Sequence, residues 1–197
     1  HCTGKYSVLI GDNYCFRLNY WEKVISNKRV FIVIDKNVAK HYLKEFLKIF
    51  KLNIGNVFIV ASRETQKSLI SFEKIINTLC EKKYSRDTVI IAIGGGVVTD
   101  LAGFVASCYL RGVDYISVPT TLLAQVDASI GGKTGINNAF GKNLIGAFYQ
   151  PKAVLIDTRI LKTLPDREYC SGLSEIIKAA LISSSTFFLW LESNIEQ

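Results

Sequence analysis

Methionine is absent from this chain of 197 residues, and histidine and proline are scarce, with two and three residues respectively. Because the chain begins at His1 and has no methionine, we expect that it was trimmed. No basic segment followed by an apolar run opens it, so we expect no secretory signal. The histidines, His1 and His41, have no spacing that predicts a metal site or a base for a catalytic cysteine.

Long uncharged apolar runs are also missing. The most apolar late segment, residues 173–191, contains Glu175, Lys178 and a run of three serines. Such a segment is typical of a buried helix in a soluble protein rather than of a membrane span. We therefore expect no membrane partner and a cytoplasmic location.

The cysteines form no CxxC pair and no zinc-finger spacing. An odd and scattered set favours buried thiols in a reducing cytosol, and a catalytic cysteine is the less favoured alternative. The five residues are Cys2, Cys15, Cys80, Cys108 and Cys170.

The formal net charge of +7 suggests anionic partners. Lysines and arginines are dispersed, however, and no nucleic-acid-binding motif occurs, so we expect no nucleic-acid partner. A phosphorylated small substrate and a dinucleotide are both anionic and would suit this excess of positive charge. A solvated cationic surface accounts for most of these charges without any ligand.

Short β-branched runs alternate with longer amphipathic runs, which predicts βαβ units and an α/β fold with a mostly parallel sheet. The glycine-rich residues 131–146 lack a clean period and are interpreted as a loop. After Pro165 the chain is predicted to be helical to its end, with a domain boundary near residues 169–171. The predicted strands are 6–10, 30–34, 57–60, 88–93, 115–118 and 153–156, and the predicted helices are 37–52, 66–84, 97–108 and 122–130.

The glycines Gly94, Gly95 and Gly96 join the apolar run 88–93 to the helical run 97–108. Glycines at a strand-to-helix junction allow backbone N–H groups to approach an anion, and the helix N-terminus adds partial positive charge. The spacing is not the GxGxxG of an ordinary dinucleotide fold. A tight turn without a ligand therefore remains an alternative.

Polar residues follow three further predicted strands, at the sheet edge where α/β proteins bind ligands. Asp35 could accept hydrogen bonds from a ribose, or simply cap the next helix. Glu64 and Lys67 could hold sugar hydroxyls, or pair with each other. The hydroxyls of Thr120 and Thr121 could cap the following helix or bond to a cofactor. Capping accounts for only one of the two.

A second group of candidates surrounds the glycine-rich segment. Lys133 and Lys142 could hold phosphate or carboxylate, with Asp127 and Asn143 beside them. The segment from Gly131 resembles the tail of a phosphate-binding P-loop, but an earlier glycine and a preceding strand are missing, which disfavours a nucleotide triphosphatase. Arg111 is either an anion clamp or an ordinary surface arginine.

Glu175 and Lys178 lie one turn apart on the last predicted helix, among apolar neighbours. They could form a salt bridge, or Glu175 could bind a metal. A catalytic metal needs about three protein ligands. The remaining ligands would then have to come from beyond Gln197.

In order, these segments resemble the 3-dehydroquinate synthase family of the sugar phosphate cyclase superfamily. The similarity is carried by GGGVVTDLAGF from Gly94, YLRG from Tyr109, PTTLLAQVD from Pro119, IGGKTGIN from Ile130, GKNLIGAF from Gly141, LKTLP from Leu161 and GLSEIIK from Gly172. The resemblance implies an NAD-binding α/β domain over residues 1–170. Residues 171–197 would be the first helix of a helical metal- and substrate-binding domain.

The resemblance also implies the site residues. Arg111, Asp127, Lys133, Asn143 and Lys178 would act on the substrate, and Glu175 would bind Zn²⁺ or Co²⁺. The substrate implied is 3-deoxy-D-arabino-heptulosonate 7-phosphate of the shikimate pathway, and the implied assembly is a homodimer. NAD would be contacted by Asp35, Ser62, Arg63, Glu64, Thr65, Gln66, Lys67, Gly95, Gly96, Val97, Val98, Thr99, Asp100, Thr120, Thr121, Leu123, Lys133, Lys142, Ile160, Leu161, Lys162 and Thr163.

Such an enzyme is a phosphate-eliminating lyase: NAD⁺ transiently oxidises a ring hydroxyl, phosphate leaves, hydride returns, and an aldol step closes the carbocycle. Two departures from the family pattern occur, Thr99 in place of a common glycine and Ser62-Arg63 in place of Asp-Gly. The alternatives are another sugar phosphate cyclase, a metal-dependent NAD polyol dehydrogenase, and a binding module without activity. We expect the 197-residue chain alone to be inactive.

Overall fold

The computed structural model describes residues 5–195. A parallel sheet of six strands, in the order β1-β8-β5-β4-β2-β3, is joined by a separate two-stranded antiparallel hairpin, β6-β7. The α/β fold with a mostly parallel sheet is confirmed. The strands are β1 (Ser7–Gly11), β2 (Arg29–Asp35), β3 (Val57–Val60), β4 (Thr88–Gly94), β5 (Asp114–Pro119), β6 (Lys133–Asn138), β7 (Gly141–Phe148) and β8 (Ala153–Asp157).

Helices cover both faces of the sheet. Alternate residues of β2 and β4 point to opposite faces, so that Phe31 and Ile90 belong to one apolar core and Ile32 and Ile91 to the other. Every residue of β4 is buried, as expected for a central strand covered on both sides. The helices are α1 (Leu18–Val24), α2 (Lys36–Phe50), α3 (Leu69–Glu81), α4 (Gly96–Cys108), α5 (Asp166–Ser183) and α6 (Ser185–Asn194).

The prediction of a loop over residues 131–146 is wrong, because most of this segment forms the β6-β7 hairpin. Gly135 pairs with Gly146 across the two strands. A Cβ atom on Gly135 would lie 2.7 Å from the carbonyl oxygen of Ile145. The glycines therefore allow two backbones to approach closely, which obscures the alternation by which a strand is normally recognised.

Three other segments differ from expectation. The short helix α1 was not predicted, and residues 122–130 contain a π-helix, Ala124–Ala128, rather than a regular α-helix. The final part contains two helices, α5 and α6, instead of one. Because α5 runs without a break through residues 169–171, no change of backbone marks the proposed domain boundary, which stays a prediction.

The expectation of buried thiols is met by Cys15 alone among the described cysteines. Cys80, Cys108 and Cys170 are exposed, since they occupy the outer surfaces of helices. Burial raises the pKa of Cys15, and Asp157 adds to the effect. His1 and Cys2 lie outside the described residues. Within residues 5–195, none of the helices has the length and apolar composition needed to cross a bilayer.

Candidate active site at the carboxyl edge of the sheet

The glycine turn lies where β4 ends and α4 begins, at the carboxyl edge of the parallel sheet. Gly95 is the N-cap residue of α4, and no side chain within residues 5–195 caps this helix. A Cβ atom on Gly95 would lie 3.0 Å from Cγ2 of Thr121. The turn is thus a confined cradle at an uncapped helix N-terminus, an arrangement that suits a phosphate group.

The two adjacent threonines at the end of β5 have different environments. The hydroxyl of Thr121 accepts a hydrogen bond from the backbone N–H of Ala124, at 3.1 Å, and so caps the following turn. Thr120 is held beside the glycine turn by a 3.0 Å bond from its N–H to the carbonyl of Gly94. Its hydroxyl is buried and has no hydrogen-bond partner within the described residues. A buried hydroxyl of this kind is costly unless a ligand or water completes it.

Asp35 caps α2, as the simpler interpretation of this residue predicts. Its Oδ1 accepts hydrogen bonds from the N–H groups of Asn37 and Val38. The hydroxyl of Ser62 also donates to this oxygen, at 2.7 Å. Ser62 therefore links β2 to the segment after β3, which places Ser62, Arg63, Glu64, Thr65 and Gln66 at the same edge as the glycine turn.

Lys67 is buried, and its ammonium group bonds to the carboxylate of Asp100 and to the side-chain oxygen of Asn143. These three residues come from the loop before α3, from the start of α4 and from β7. In the absence of a ligand, Glu64 was the predicted partner of Lys67. The structure instead joins Lys67 to α4 and to the hairpin.

A chain of polar contacts extends from this ion pair. The side-chain amide of Asn137 donates to Glu64, at 2.8 Å, and its oxygen accepts from the backbone N–H of Asn143, at 2.9 Å. The backbone N–H of Asn137 also donates to the carbonyl of Lys67. Asn143 has a positive φ of 57°, which Asn tolerates better than most residues. The hairpin is thereby fixed to the loop that carries Glu64 and Lys67.

Asn137 was missed by the sequence analysis. Asparagine is depleted in strands. A correct prediction of β6 would have drawn attention to its polar side chain.

Burial raises the pKa of Asp100 above its ordinary value. The hydrogen bond and charge of Lys67 act in the opposite direction, whereas the negative charges of Glu64 and Asp127 raise the pKa further. Asp100 therefore lies in a charged group in which Lys67 favours its ionised form and burial and the two other carboxylates oppose it.

A cavity of about 530 Å³ opens between α4, the π-helix and the hairpin. Asp100, Asp127, Lys133 and Asn143 line it. The cavity thus brings together three residues of the group predicted around the glycine-rich segment, Asp127, Lys133 and Asn143, with Asp100, which was predicted to contact NAD. Lys142 lines a neighbouring groove of about 730 Å³ with Glu64, Lys67 and Phe140.

Glu175 and Lys178 form the salt bridge that was one of the two alternatives for this pair. The hydrogen bond from Lys178 to Glu175 raises the pKa of Lys178, and the charge of Asp127 contributes in the same direction. Lys178 is exposed on α5. No cluster of three or more potential metal ligands occurs within residues 5–195.

Arg111 is not brought to this cavity. It follows α4 and precedes β5, so it lies at the amino edge of the sheet, opposite the glycine turn. Its backbone has a positive φ of 67°. By contrast, the segment containing Ile160, Leu161, Lys162 and Thr163 follows β8 at the carboxyl edge. There the hydroxyl of Thr163 contacts that of Tyr42, at 3.3 Å.

Thr99, which departs from the family pattern, does not enter the cavity. It is buried in the first turns of α4, and its hydroxyl donates to the carbonyl of Gly96, at 3.2 Å. Such back-bonding satisfies the hydroxyl within the helix. The substitution is therefore accommodated without changing the surface of the glycine turn.

Comparison with known proteins gives a consistent set of relatives. Residues 57–171 match the family model described as 3-dehydroquinate synthase N-terminal. The chain is 48% identical over 190 residues to 3-dehydroquinate synthase of Coxiella burnetii (strain CbuG_Q212), covering 96% of this chain and 53% of the relative. It thus spans about half the length of the curated relatives it matches.

Two solved structures of sugar phosphate cyclases are also similar. One is the 2-epi-5-epi-valiolone synthase ValA of Streptomyces hygroscopicus subsp. jinggangensis 5008 with NAD⁺ and Zn²⁺ bound, with a TM-score of 0.85, 30% identity, and coverage of 98% of this chain and 54% of that one. The other is 2-deoxy-scyllo-inosose synthase complexed with carbaglucose-6-phosphate, NAD⁺ and Co²⁺. Its TM-score is 0.78 and its identity 28%, over 90% of this chain and 48% of that one.

Proposed function

The chain belongs to the 3-dehydroquinate synthase family, and from this membership we propose that the full-length protein is a 3-dehydroquinate synthase, with this chain as its NAD-binding part. The reaction is conversion of 3-deoxy-D-arabino-heptulosonate 7-phosphate to 3-dehydroquinate and inorganic phosphate. One observation supports the proposal most strongly. The uncapped glycine turn of α4, with the unpartnered hydroxyl of Thr120 beside it, lies at the same sheet edge as the cavity that contains Lys133.

The residues at the glycine turn fit a dinucleotide. The N–H groups at the start of α4, from Gly95 to Val97, would hold the diphosphate, and the hydroxyl of Thr120 would gain the partner that it lacks. Asp35, with one oxygen already engaged in capping, would offer its other oxygen to a ribose. Bound NAD⁺ would supply the transient oxidation of a ring hydroxyl, with no net consumption of cofactor. The resemblance assigns further residues to the cofactor, among them Leu123 and Thr163, and these contacts stay predictions.

The polar residues of the cavity would bind and orient the phosphorylated substrate. Lys133 would hold an anionic substituent as a point charge, and the amide of Asn143 would bind a hydroxyl. Lys178 is exposed on α5 and does not line the cavity, but its hydrogen bond to Glu175 and the charge of Asp127 raise its pKa, and it would hold the other anionic group as a cation. Asp127 balances these cations. The departing phosphate can take up a proton itself, so the chain need not supply a strong base.

The metal assignment has less support in this chain. The carboxylate of Glu175 has the right chemistry for Zn²⁺ or Co²⁺, but a catalytic site needs about three protein ligands. Residues 5–195 bring no such group together. The roles of Glu175 as a ligand and of Arg111 on the substrate therefore stay predictions, as do the homodimer and the cytoplasmic location.

Two other enzyme classes remain as alternatives. Another sugar phosphate cyclase is disfavoured because the identity is 48% to a 3-dehydroquinate synthase and 30% to a cyclase of different specificity. A polyol dehydrogenase would release NADH on every turnover, whereas the proposed enzyme returns the hydride.

The test is an assay of the full-length protein with NAD⁺, Zn²⁺ and 3-deoxy-D-arabino-heptulosonate 7-phosphate. We expect inorganic phosphate to be released continuously without net accumulation of NADH. Accumulation of NADH in step with turnover of a polyol would favour the dehydrogenase. Binding of NAD⁺ without phosphate release would favour a binding module and contradict the proposal.

A further inference from the structure

Gln150 joins the two ends of the hairpin that carries Lys133, Lys142 and Asn143. It lies just after β7, and its side-chain amide donates a 3.2 Å hydrogen bond to the carbonyl oxygen of Gly131, just before β6. The next residue on the entering side is also in contact with it. A Cβ atom on Gly132 would lie 2.7 Å from Cδ of Gln150.

The entering turn has an unusual backbone. Gly131 and Gly132 have positive φ values of 93° and 71°, a conformation that favours glycine. The N–H of Gly131 donates to the hydroxyl of Tyr6, at 3.0 Å. The carbonyl of Gly132 accepts from the N–H of Tyr149, at 2.7 Å. Because glycines impose little conformation of their own, the direction in which Lys133 leaves the turn depends on these outside contacts.

The exit of the hairpin also has anchors outside the hairpin, besides the backbone bond from Tyr149 to Gly132. Tyr149 donates from its hydroxyl to the carbonyl of Val113, at 2.9 Å, and its ring stacks on Tyr115. Gln150 follows this anchored residue directly. Its bond to Gly131 therefore ties this anchored exit to the glycine turn at the entrance.

Gln150 also has a feature that packing alone does not explain. Its Oε1 atom is buried and has no hydrogen-bond partner within the described residues. A buried amide oxygen without a hydrogen-bond partner destabilises the folded protein. A hydrophobic residue of similar size would avoid this cost but would lose the bond to Gly131.

We propose that Gln150 is a positioning residue of the active site, which holds the turn of Gly131 and Gly132 so that Lys133 enters the cavity beside Asp127 and Asn143. This inference rests on the proposed function for the identity of the ligand, an anionic group of a phosphorylated substrate. It concerns the placement of Lys133 and assigns Gln150 no contact with the substrate.

The test compares Gln150→Glu and Gln150→Leu in the full-length protein by phosphate release. Neither a carboxylate nor an aliphatic side chain can donate to the carbonyl of Gly131. If Lys133 is no longer held in place, the substrate loses one well-placed charged contact. We therefore expect about a tenfold rise in KM for the substrate, with a smaller change in kcat. In Gln150→Glu the affinity should recover as pH falls and the carboxyl group becomes a donor, whereas Gln150→Leu should show no such recovery. A role in stability alone would give no difference between the two pH profiles.

A double-mutant cycle with Lys133→Ala identifies the residue through which Gln150 acts. If Gln150 positions Lys133, the effect of Gln150→Leu on KM should largely disappear in the Lys133→Ala background. If the two substitutions instead raise KM by factors that multiply in the double mutant, the inference is overturned. Asn53→Ala is a matched control, because it removes an amide that caps a short helical turn before β3, and it should leave KM unchanged.

A second measurement does not depend on the substrate. Hydrogen exchange of the backbone amides of residues 131–136 should be faster in Gln150→Leu than in the wild type, with exchange in β4 unaffected. If the wild type releases no phosphate, the proposed function fails, but this measurement still tests whether Gln150 holds the turn of Gly131 and Gly132. Unchanged exchange at residues 131–136 would show that Gln150 does not hold the turn, whatever the substrate.

Discussion

Lys67 forms a buried ion pair with Asp100, although the two residues lie on different elements, the loop before α3 and the start of α4. The side chains are 6% and 19% exposed. The same ammonium group contacts Asn143 of the hairpin. This lysine therefore connects the loop before α3, the start of α4 and the hairpin.

Removing this lysine should destabilise the protein strongly. Lys67→Met leaves the buried Asp100 without its cation, which corresponds to a loss of about 3 kcal/mol in the free energy of unfolding. Urea unfolding would measure it. Lys28→Met is the matched control, because Lys28 pairs with the more accessible Asp114, and its loss should cost less than about 1 kcal/mol. Equal effects of the two variants would show that the Lys67 pair has no special role.

The raised pKa of Asp100 predicts the sign of a pH effect. The unfolded carboxyl has a pKa near 3.8, and burial raises the folded value. Folding therefore favours the protonated form, so this group's contribution to stability is fully present below pH 3.8 and is lost as pH rises through the folded pKa. The stability of the wild type relative to Asp100→Asn should decline across that window, as measured by unfolding at a series of pH values. A relative stability that increases with pH would contradict the direction of the shift.

The two threonines after β5 should respond differently to substitution. Thr121→Ala removes a helix cap and should cost about 1 kcal/mol of stability. Thr120→Val replaces a buried, unpartnered hydroxyl, so stability should be unchanged or higher by up to about 1–3 kcal/mol. The same variant should bind NAD⁺ about tenfold more weakly. Thermal unfolding and NAD⁺ titration of both variants check this contrast, and unweakened binding by Thr120→Val would show that its hydroxyl does not face the cofactor.

Thr99→Gly restores the residue that the family commonly has. Glycine is a somewhat poorer helix former than threonine, and the variant also loses a buried side chain, so it should be less stable by about 1 kcal/mol. Affinity for NAD⁺ should stay within about threefold of the wild type, because the hydroxyl of Thr99 bonds to Gly96 of its own helix. A large gain in affinity would mean that Thr99 obstructs the turn.

The main strands could be predicted from the sequence because each is a short apolar run between polar segments. Strand β3 has the predicted bounds, and β4 differs only by including Gly94. The hairpin could not be recognised, because the glycines that allow β6 and β7 to approach also remove the apolar alternation.

The candidate site was predictable in part for a similar reason. Polar residues that follow parallel strands share one sheet edge, so Asp35, Lys67 and Thr120 could be grouped from their positions in the sequence. The pairing of Lys67 with Asp100 and Asn143 could not be foreseen, since it depends on how the hairpin folds back onto α4. For Arg111 the sequence motif and the topology disagree. Its sequence motif predicts a site residue, but the topology puts it at the far edge of the sheet.

A crystal structure of the full-length protein with NAD⁺ would test the central claim most directly. We expect the diphosphate to accept hydrogen bonds from the backbone N–H groups at the start of α4, with Thr120 within hydrogen-bonding distance of the cofactor. Electron density for NAD⁺ at another site, with the glycine turn filled only by water, would contradict the account.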